Sequence, residues 1–455
     1  MLRADINNNK AEQFGRWLNE SNYAFIYKSM AGIFNTVEPW IEEKQIEVML
    51  NDLSADDSCI VEFFLLGYGK EKSELLRILG RENYEFLLET GFASENENLI
   101  DPQGFCILPI EDLFLIVSLP SCYKNAKQRI SDIYIGSDST KLMKYIKKGT
   151  YESILDLCAG SGVQGLNVAA YADKVVEVEL NDIAYNAALL NAKINGVSQD
   201  KYEVRKGDLY NVVTEKFDCI ISNPPFVPVP KDITFPLCGD GGEDGLDIVR
   251  TIVGGFEKFL KPSGKAYMVL ECIGNEEKPY VVDCMKEVLK TGIINVSMIN
   301  RQQIEFQADA SAKIAISIYN DPQNYDMYYK AWMNMFIRNN ATYIYPVVVE
   351  YVNNDKALEV NYLRNYSKWS LDSEFEVTSG VEISECNKQY FAAYEKGKTK
   401  AVFDEEVKDL LENSGNKSIR TRIKDCMDTG AYIKKIKSTL KAVSGLEAQG
   451  IIVKK

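Results

Sequence analysis

Two short stretches of this chain carry residue types able to do chemistry together. Asn223-Pro224-Pro225-Phe226 follows the apolar run Phe217-Asp218-Cys219-Ile220-Ile221-Ser222, which reads as a buried strand of a parallel sheet. Neither proline can donate to a ladder or start a helix there, so the turn is stiff and holds Asn223 at the carboxyl edge of the sheet. That edge is where open α/β sheets bind ligands. An amide side chain, free carbonyls and an aromatic face suit a planar group bearing N–H. Asn223 and the Pro224 carbonyl would accept from it, and Phe226 would stack on it. Upstream, Ile154-Leu155-Asp156-Leu157-Cys158-Ala159-Gly160-Ser161-Gly162-Val163-Gln164-Gly165 reads as strand, glycine turn and helix start. Gly160 and Gly162 let a ligand approach the backbone where a Cβ would collide. Lys174-Val175-Val176-Glu177-Val178-Glu179 reads as the next strand, and Glu179 lies 19 residues beyond Gly160. An acid that accepts from ribose hydroxyls is expected at about 20. The Gly-x-Gly-x-x-Gly pattern alone also fits a nicotinamide dinucleotide.

Composition narrows the chemistry. The 455 residues include no histidine, so a Ser-His-Asp or Cys-His nucleophile system is excluded. Any general base must be Asp, Glu, Lys, Tyr or water. The ten cysteines are scattered without a Cys-x-x-Cys pair, which predicts reduced, mostly buried thiols and no metal site. No apolar run approaches the roughly 20 residues that span a bilayer, and Met1-Leu2-Arg3-Ala4-Asp5-Ile6-Asn7 has no signal-peptide core. A cytoplasmic protein is the expectation. The net charge of −14 opposes a nucleic-acid partner, since duplex binders carry a basic footprint. One basic cluster, Lys417, Arg420, Arg422, Lys424, Lys434, Lys435, Lys437 and Lys441, reads as a solvated helical face.

Taken together the motifs resemble the class I S-adenosylmethionine-dependent methyltransferases. Asp156 through Gly162 looks like the first motif of that family. Glu179, followed by Asn181, Asn191-Ala192 and Asn195-Gly196, looks like the second. Gly207-Asp208-Leu209 resembles the third and Asn223-Pro224-Pro225-Phe226 the fourth. This form of the fourth motif belongs mainly to enzymes that methylate amide or exocyclic amino nitrogen. The nearest resemblance is to the release-factor glutamine methyltransferases, which share a stretch like Gly241-Gly242-Glu243-Asp244-Gly245-Leu246-Asp247. The resemblance implies S-adenosylmethionine as cofactor, held by Asp156, Cys158, Ala159, Gly160, Gly162, Glu179, Leu180, Asp208, Leu209 and Asn223. Asp156 would face the methionine amine, and Asp208 or the Leu209 backbone would meet the adenine. Asp182 is a rival acid to Glu179, but it falls where a helix starts and reads as an N-cap.

The acceptor side would comprise Asn223, Pro225, Phe226, Tyr134, Ser139 and Thr140, with Asn223, Pro224 and Phe226 catalytic. Tyr134-Ile135-Gly136-Ser137-Asp138-Ser139-Thr140 resembles the Ile-Pro-Arg-Pro-Glu-Thr lid of the glutamine enzymes with Thr140 in register, but lacks its Arg and both prolines. Asp138 or Ser139 also reads as a plain N-cap for a helix over Lys141–Ile146. The reading is methyl transfer to an amide or amino nitrogen of a small or peptide-like molecule. Alternatives are a protein glutamine methyltransferase acting on a release factor, a nicotinamide-dependent dehydrogenase and a non-catalytic cofactor-binding scaffold.

These motifs need a positioning fold. The strand and helix alternation predicts an α/β, Rossmann-like class I methyltransferase sheet with helices on both faces, over residues 126–320. Further strands read at Gly264–Leu270, Ile293–Ile299 and Ala312–Ile318, the last two as a closing hairpin. Residues 1–125 read as a mostly helical, winged-helix-like domain. Its hairpin is expected around Pro102-Gln103-Gly104. Residues 321–455 read as an α+β extension that would cover the substrate. In it, Tyr328–Ile337 has helical spacing, Tyr343–Val352 reads as a strand, and the chain from Val402 onward reads as helical. Its aromatics Trp332 and Phe336 read as core or, alternatively, as a pocket wall.

Overall fold

The computed structural model describes residues 2–33, 39–127, 131–298, 300–364, 369–387, 390–412, 417–423 and 429–455. The chain divides into two compact units: Met1–Ile273 with Lys278–Met298 and Pro346–Leu363, and Gly274–Glu277 with Ile299–Tyr345 and Arg364–Lys455.

The first unit is built on a twisted sheet. Its strands are β1 (Tyr151–Leu157), β2 (Ala172–Glu179), β3 (Tyr202–Lys206), β4 (Phe217–Ser222), β5 (Leu260–Gly274), β6 (Thr291–Met298), β7 (Tyr343–Ala357) and β8 (Glu359–Arg364), in the order β8-β6-β7-β5-β4-β1-β2-β3. The β1–β2, β2–β3, β1–β4 and β4–β5 pairs are parallel. Ile154, Leu155 and Leu157 of β1 and Cys219, Ile220 and Ile221 of β4 are essentially inaccessible, as strands covered on both faces must be. The chain winds to one side from β1 and to the other from β4. Their shared carboxyl edge is therefore a topological switch point, where a crevice opens. The helices that frame it are α1 (Ser137–Tyr145), α2 (Val163–Val168), α3 (Asp182–Ile194), α4 (Asp247–Gly254) and α5 (Val281–Val288).

The expected closing hairpin is wrong in its second half. Ala312–Ile318 lies in a helix, Ile304–Tyr319. Alternating Ile314, Ile316 and Ile318 imitate a strand, but the buried stripe is Ala308, Ala312 and Ala315 at helical spacing, with Ile314 exposed. The antiparallel partner of β6 is β7, in a register running from Ile293 opposite Val352 to Met298 opposite Val347. Ile299 and Lys424, both named above, lie outside the described residues.

The N-terminal portion packs as part of the first unit. Helix Ala55–Phe64, strand Lys70–Glu71, helices Lys72–Leu79 and Arg81–Glu89, and strands Ala93–Asn96 and Leu99–Pro102 follow in sequence, with the last strand central in a three-stranded sheet. This is the element order that a winged-helix-like module would have. Helix Arg81–Glu89, where such a module would read a groove, carries Glu82, Glu85 and Glu89 beside its one arginine. The Pro102-Gln103-Gly104 turn does not make a hairpin. It joins strands of different sheets, and the hairpins turn at Glu97-Asn98 and Glu111-Asp112. Gly15 packs so closely on α3 that a Cβ there would lie 1.9 Å from the Ile194 carbonyl oxygen. Lys193 donates to the Ala4 and Ile6 carbonyls.

In the second unit, helices Ile304–Tyr319 and Tyr325–Arg338 pack together. They stand with helix Thr429–Ala448 and a three-stranded antiparallel sheet of Val381–Asn387, Tyr390–Glu395 and Lys398–Phe403. Val402 is therefore in a strand. Ile452–Lys454, expected as helix, pairs with Phe375–Val377. Trp332 and Phe336 are fully buried. They are core, and the reading of them as a pocket wall is withdrawn. Arg420, placed in the solvated cluster above, instead reaches the buried Glu305 carboxylate at 2.5 Å and Asp372 at 2.9 Å. Among the described residues, no helix is long and apolar enough to cross a membrane.

Candidate active site

An open cleft of about 170 Å³ lies at the carboxyl edge of β1, β2, β3 and β4. Its floor is the turn after β1. Cys158 (φ 61°) and Gly160 (φ 56°) both take left-handed backbone there. That conformation suits glycine and is held under strain by Cys158. The space a Cβ would fill at Gly160 is open, so a ligand can lie against this backbone. Gly162 has a different duty. A Cβ there would sit 3.0 Å from Glu177 and 3.2 Å from the Tyr202 hydroxyl. It packs inward and does not line the cleft.

Glu179 closes the floor. Its Oε2 accepts from the Gly160 N–H at 2.7 Å, and its Oε1 accepts from the Asn181 N–H at 2.7 Å. Burial pushes its carboxyl up, and those same N–H groups pull it back. Each oxygen keeps capacity for a further donor. Asn181 is the true cap of α3, accepting from Ile183 and Ala184 N–H and donating to Asp132. Asp182, expected as the cap, is the first helical residue.

Asp156 is not where the motif placed it. It is wholly buried beneath the turn, accepts from the Gly165 N–H at 3.0 Å, and does not line the cleft. Burial raises its carboxyl to about 8. Its Oδ1 and the Oε2 of Glu177, its neighbour across the β1–β2 register, find no hydrogen-bond partner among the described residues. Asp156 supports the glycine turn from below.

On the opposite wall, Asn223 and Pro225 line the cleft with Tyr134 and Ser139. The Asn223 amide nitrogen donates to Asp138 Oδ2 at 2.6 Å and to Ser139 Oγ at 3.2 Å. The Tyr134 hydroxyl donates to Asp138 Oδ1 at 2.8 Å. Helix α1 starts earlier than expected, at Ser137, with Gly136 as its cap. Thr140 turns back to the Ser137 carbonyl and stays out of the cleft. Pro224 is buried, and Phe226 does not line the cleft. The reason is the loop that follows. Val227 exchanges backbone hydrogen bonds with Gly239 and Gly241, and a Cβ at Gly245 would lie 2.4 Å from the Phe226 carbonyl oxygen. The chain turns away at Phe226 to make this packing. Asp244 and Asp247 both hold Arg250. The glycine-rich stretch is thus the buttress of the Asn-Pro-Pro turn.

Cys158, Ala159, Leu180, Asp208 and Leu209 line the cleft as expected. Sequence reasoning missed Asp132, Gln164, Leu237, Cys238, Asp240 and Ile248. These come from separate segments, and no spacing signal connects them. Among the described residues the lining carries four acids, Asp132, Glu179, Asp208 and Asp240, and no lysine or arginine. A pyrophosphate would meet uncompensated negative charge there, whereas a sulfonium and an ammonium are attracted. The residues fit S-adenosylmethionine.

Residues 131–292 match the profile of the Methyltransferase small domain family. The release factor glutamine methyltransferase of Clostridium acetobutylicum is 37% identical over 151 residues, 30% of this chain and 51% of that one. A Methanocaldococcus jannaschii protein, provisionally named a protein N5-glutamine methyltransferase, is 30% identical over 31% of this chain and 73% of its own. The chain belongs to the S-adenosylmethionine-dependent methyltransferases of the glutamine methyltransferase group. The ribosomal protein uL3 glutamine methyltransferase of Francisella tularensis is 33% identical over 29% of this chain and 44% of its own. The chain thus spans about half the length of most of these relatives. The matched stretch holds both walls of the cleft.

Cofactor duties divide by wall. Glu179, Asp208, Leu180 and the backbone at Cys158, Ala159 and Gly160 line one wall, and would hold the nucleoside and methionine portions if the family pattern applies. Asp156 and Gly162 support that wall from behind. Bound S-adenosylmethionine supplies an activated methyl on a sulfonium.

Proposed function

We propose that the protein methylates the side-chain amide nitrogen of a glutamine borne on a protein or peptide. The carrying observation is the Asn223 side chain beside the glycine turn, in a cleft lined by carboxylates and, among the described residues, by no cation. A neutral primary amide can sit there without a charge penalty, and an acidic or phosphorylated acceptor cannot. With the amide nitrogen of Asn223 engaged by Asp138 and Ser139, its Oδ1 accepts an N–H of the acceptor. That hydrogen bond orients the acceptor nitrogen across the cleft, and orientation is the principal demand of an in-line displacement. The relatives named for release factor and ribosomal protein uL3 support a protein acceptor. The acidic face of helix Arg81–Glu89 and the net charge of −14 oppose nucleic acid. A cytoplasmic setting accords with nine free cysteines among the described residues.

The test incubates the full chain with methyl-labelled S-adenosylmethionine and synthetic peptides that differ only in Gln, Asn or Glu at one site. Label is expected in the Gln peptide, recovered after digestion as N5-methylglutamine. Label in the Glu peptide, or in duplex DNA offered alongside, would overturn the reading.

A further inference from the structure

We propose that Asp138 is a positioning residue that sets which end of the Asn223 amide faces the acceptor. The inference rests on the reading of Asn223 as the acceptor-binding group. An Asn side chain has two faces of opposite chemistry: an oxygen that accepts and a nitrogen that donates. Nothing in the Asn-Pro-Pro turn itself chooses between them. Asp138 chooses. It is 5% exposed, and a carboxylate offers only acceptors. The amide edge held by Asp138 Oδ2 at 2.6 Å is therefore the nitrogen. Ser139 Oγ takes the second N–H at 3.2 Å. Both donors are spent, and Oδ1 is the atom left to the cleft.

The second carboxylate oxygen is fixed as well. The Tyr134 hydroxyl donates to Asp138 Oδ1 at 2.8 Å, so the carboxylate cannot swing to release Asn223. Gly136 makes this possible, because a Cβ there would lie 2.0 Å from the Tyr134 hydroxyl oxygen. The start of α1 is thereby folded around one carboxylate. The result is a selectivity device: the site accepts N–H acceptors and rejects groups that present only lone pairs. Without Asp138 the amide is free to flip, and half of its orientations would point N–H at the acceptor nitrogen.

Two readouts test this. First, protein labelled with ¹⁵N-asparagine is saturated with S-adenosylhomocysteine, and the Asn223 side-chain amide is assigned by its loss in Asn223→Ala. That signal should lie downfield in the wild type and move upfield, with faster exchange, in Asp138→Ala. The exposed acid variant Asp182→Ala should leave it unchanged. A signal indifferent to Asp138→Ala would overturn the proposal, whatever the acceptor is. Second, on the glutamine peptide, Asp138→Ala should lower kcat by about 10- to 100-fold. KM for the peptide and Kd for the cofactor should stay within about twofold. Added to Asn223→Ala, the substitution should cost nothing more, because two residues acting through one group are not additive. Losses that multiply would overturn it. Asp138→Asn, which keeps the shape but offers Asn223 either end of an amide, covers the case in which the alanine variant does not fold. It should lose about tenfold, and full activity in it would count against the proposal. A wild type inert toward the peptide overturns the glutamine reading alone, and the amide signal then decides the role of Asp138.

Discussion

The two walls of the cleft are held by opposite means. The glycine-turn wall is fixed from within a short stretch of chain. Glu179 bonds to Gly160 and Asn181, Asp156 to Gly165, and Tyr202 to the Gly162 carbonyl. All but the last of these span fewer than twenty residues of sequence. The Asn-Pro-Pro wall rests on the nearby glycine-rich buttress, but the Asn223 side chain itself is fixed from far away, by Asp138 and Ser139, about 85 residues upstream. The first wall holds a constant cofactor, so its supports can be built into the motif. The second wall would meet the acceptor, and its supports reach it from a segment distant in sequence.

The largest expected effect separates the walls outright. Asn223→Ala should lower kcat by about 100- to 1,000-fold, the scale of removing one positioned hydrogen-bonding group from a reaction site. The Kd for S-adenosylmethionine by calorimetry should stay within about twofold. Normal turnover would make the turn structural only. The converse variant, Glu179→Ala, should weaken cofactor binding by about 1.5–3 kcal/mol through loss of charge-assisted hydrogen bonds. It should also free the Gly160 N–H. Unchanged affinity would remove Glu179 from the site.

The contrast also explains what was legible in the sequence. The glycine turn, Glu179 and the strands that carry them were readable because their spacing is local. The position of Asn223 was readable because two prolines follow it. Its partner Asp138 was read as a helix cap or as part of a lid, and not as a partner of Asn223, because no spacing rule ties residue 138 to residue 223. Asp156 was misplaced for a subtler reason. The motif marks it as important without saying whether it faces the ligand or supports the turn, and full burial decides for support. Tyr343–Val352 was read as a strand, but Ala312–Ile318 was taken as the partner of β6, because its alternating isoleucines imitate a strand in a helix whose buried stripe is alanine. The long interval between β6 and β7 hid the true partner.

A smaller effect probes the buttress. In Gly245→Ala the new Cβ would meet the Phe226 carbonyl oxygen at 2.4 Å, on backbone with φ 74°. Strain and overpacking should lower stability by about 1–3 kcal/mol, read as a fall in the thermal midpoint. Turnover should drop further than cofactor affinity does, since the displaced element carries Asn223. Equal losses on both would show that the walls are not independently supported.

The smallest effect belongs to the buried acids under the glycine turn, and its sign follows from linkage. Asp156 titrates from 3.8 in the unfolded chain to about 8 when folded, and burial raises Glu177 as well. Between those values the folded protein holds protons that the unfolded chain releases. Stability must then fall as pH rises from about 4 toward 8 and level off above. Asp156→Asn removes one of these protons from the balance while an amide oxygen still accepts from Gly165. The variant should be of similar or lower stability near pH 5 and gain on the wild type by about 1–2 kcal/mol at pH 8.5. Denaturant midpoints at the two pH values measure the difference. Because Asp156 does not line the cleft, the Kd for S-adenosylmethionine should change by no more than about threefold. A large loss of affinity with no change in the pH slope would return Asp156 to the cofactor itself and undo the assignment of that wall's support to the acids beneath it.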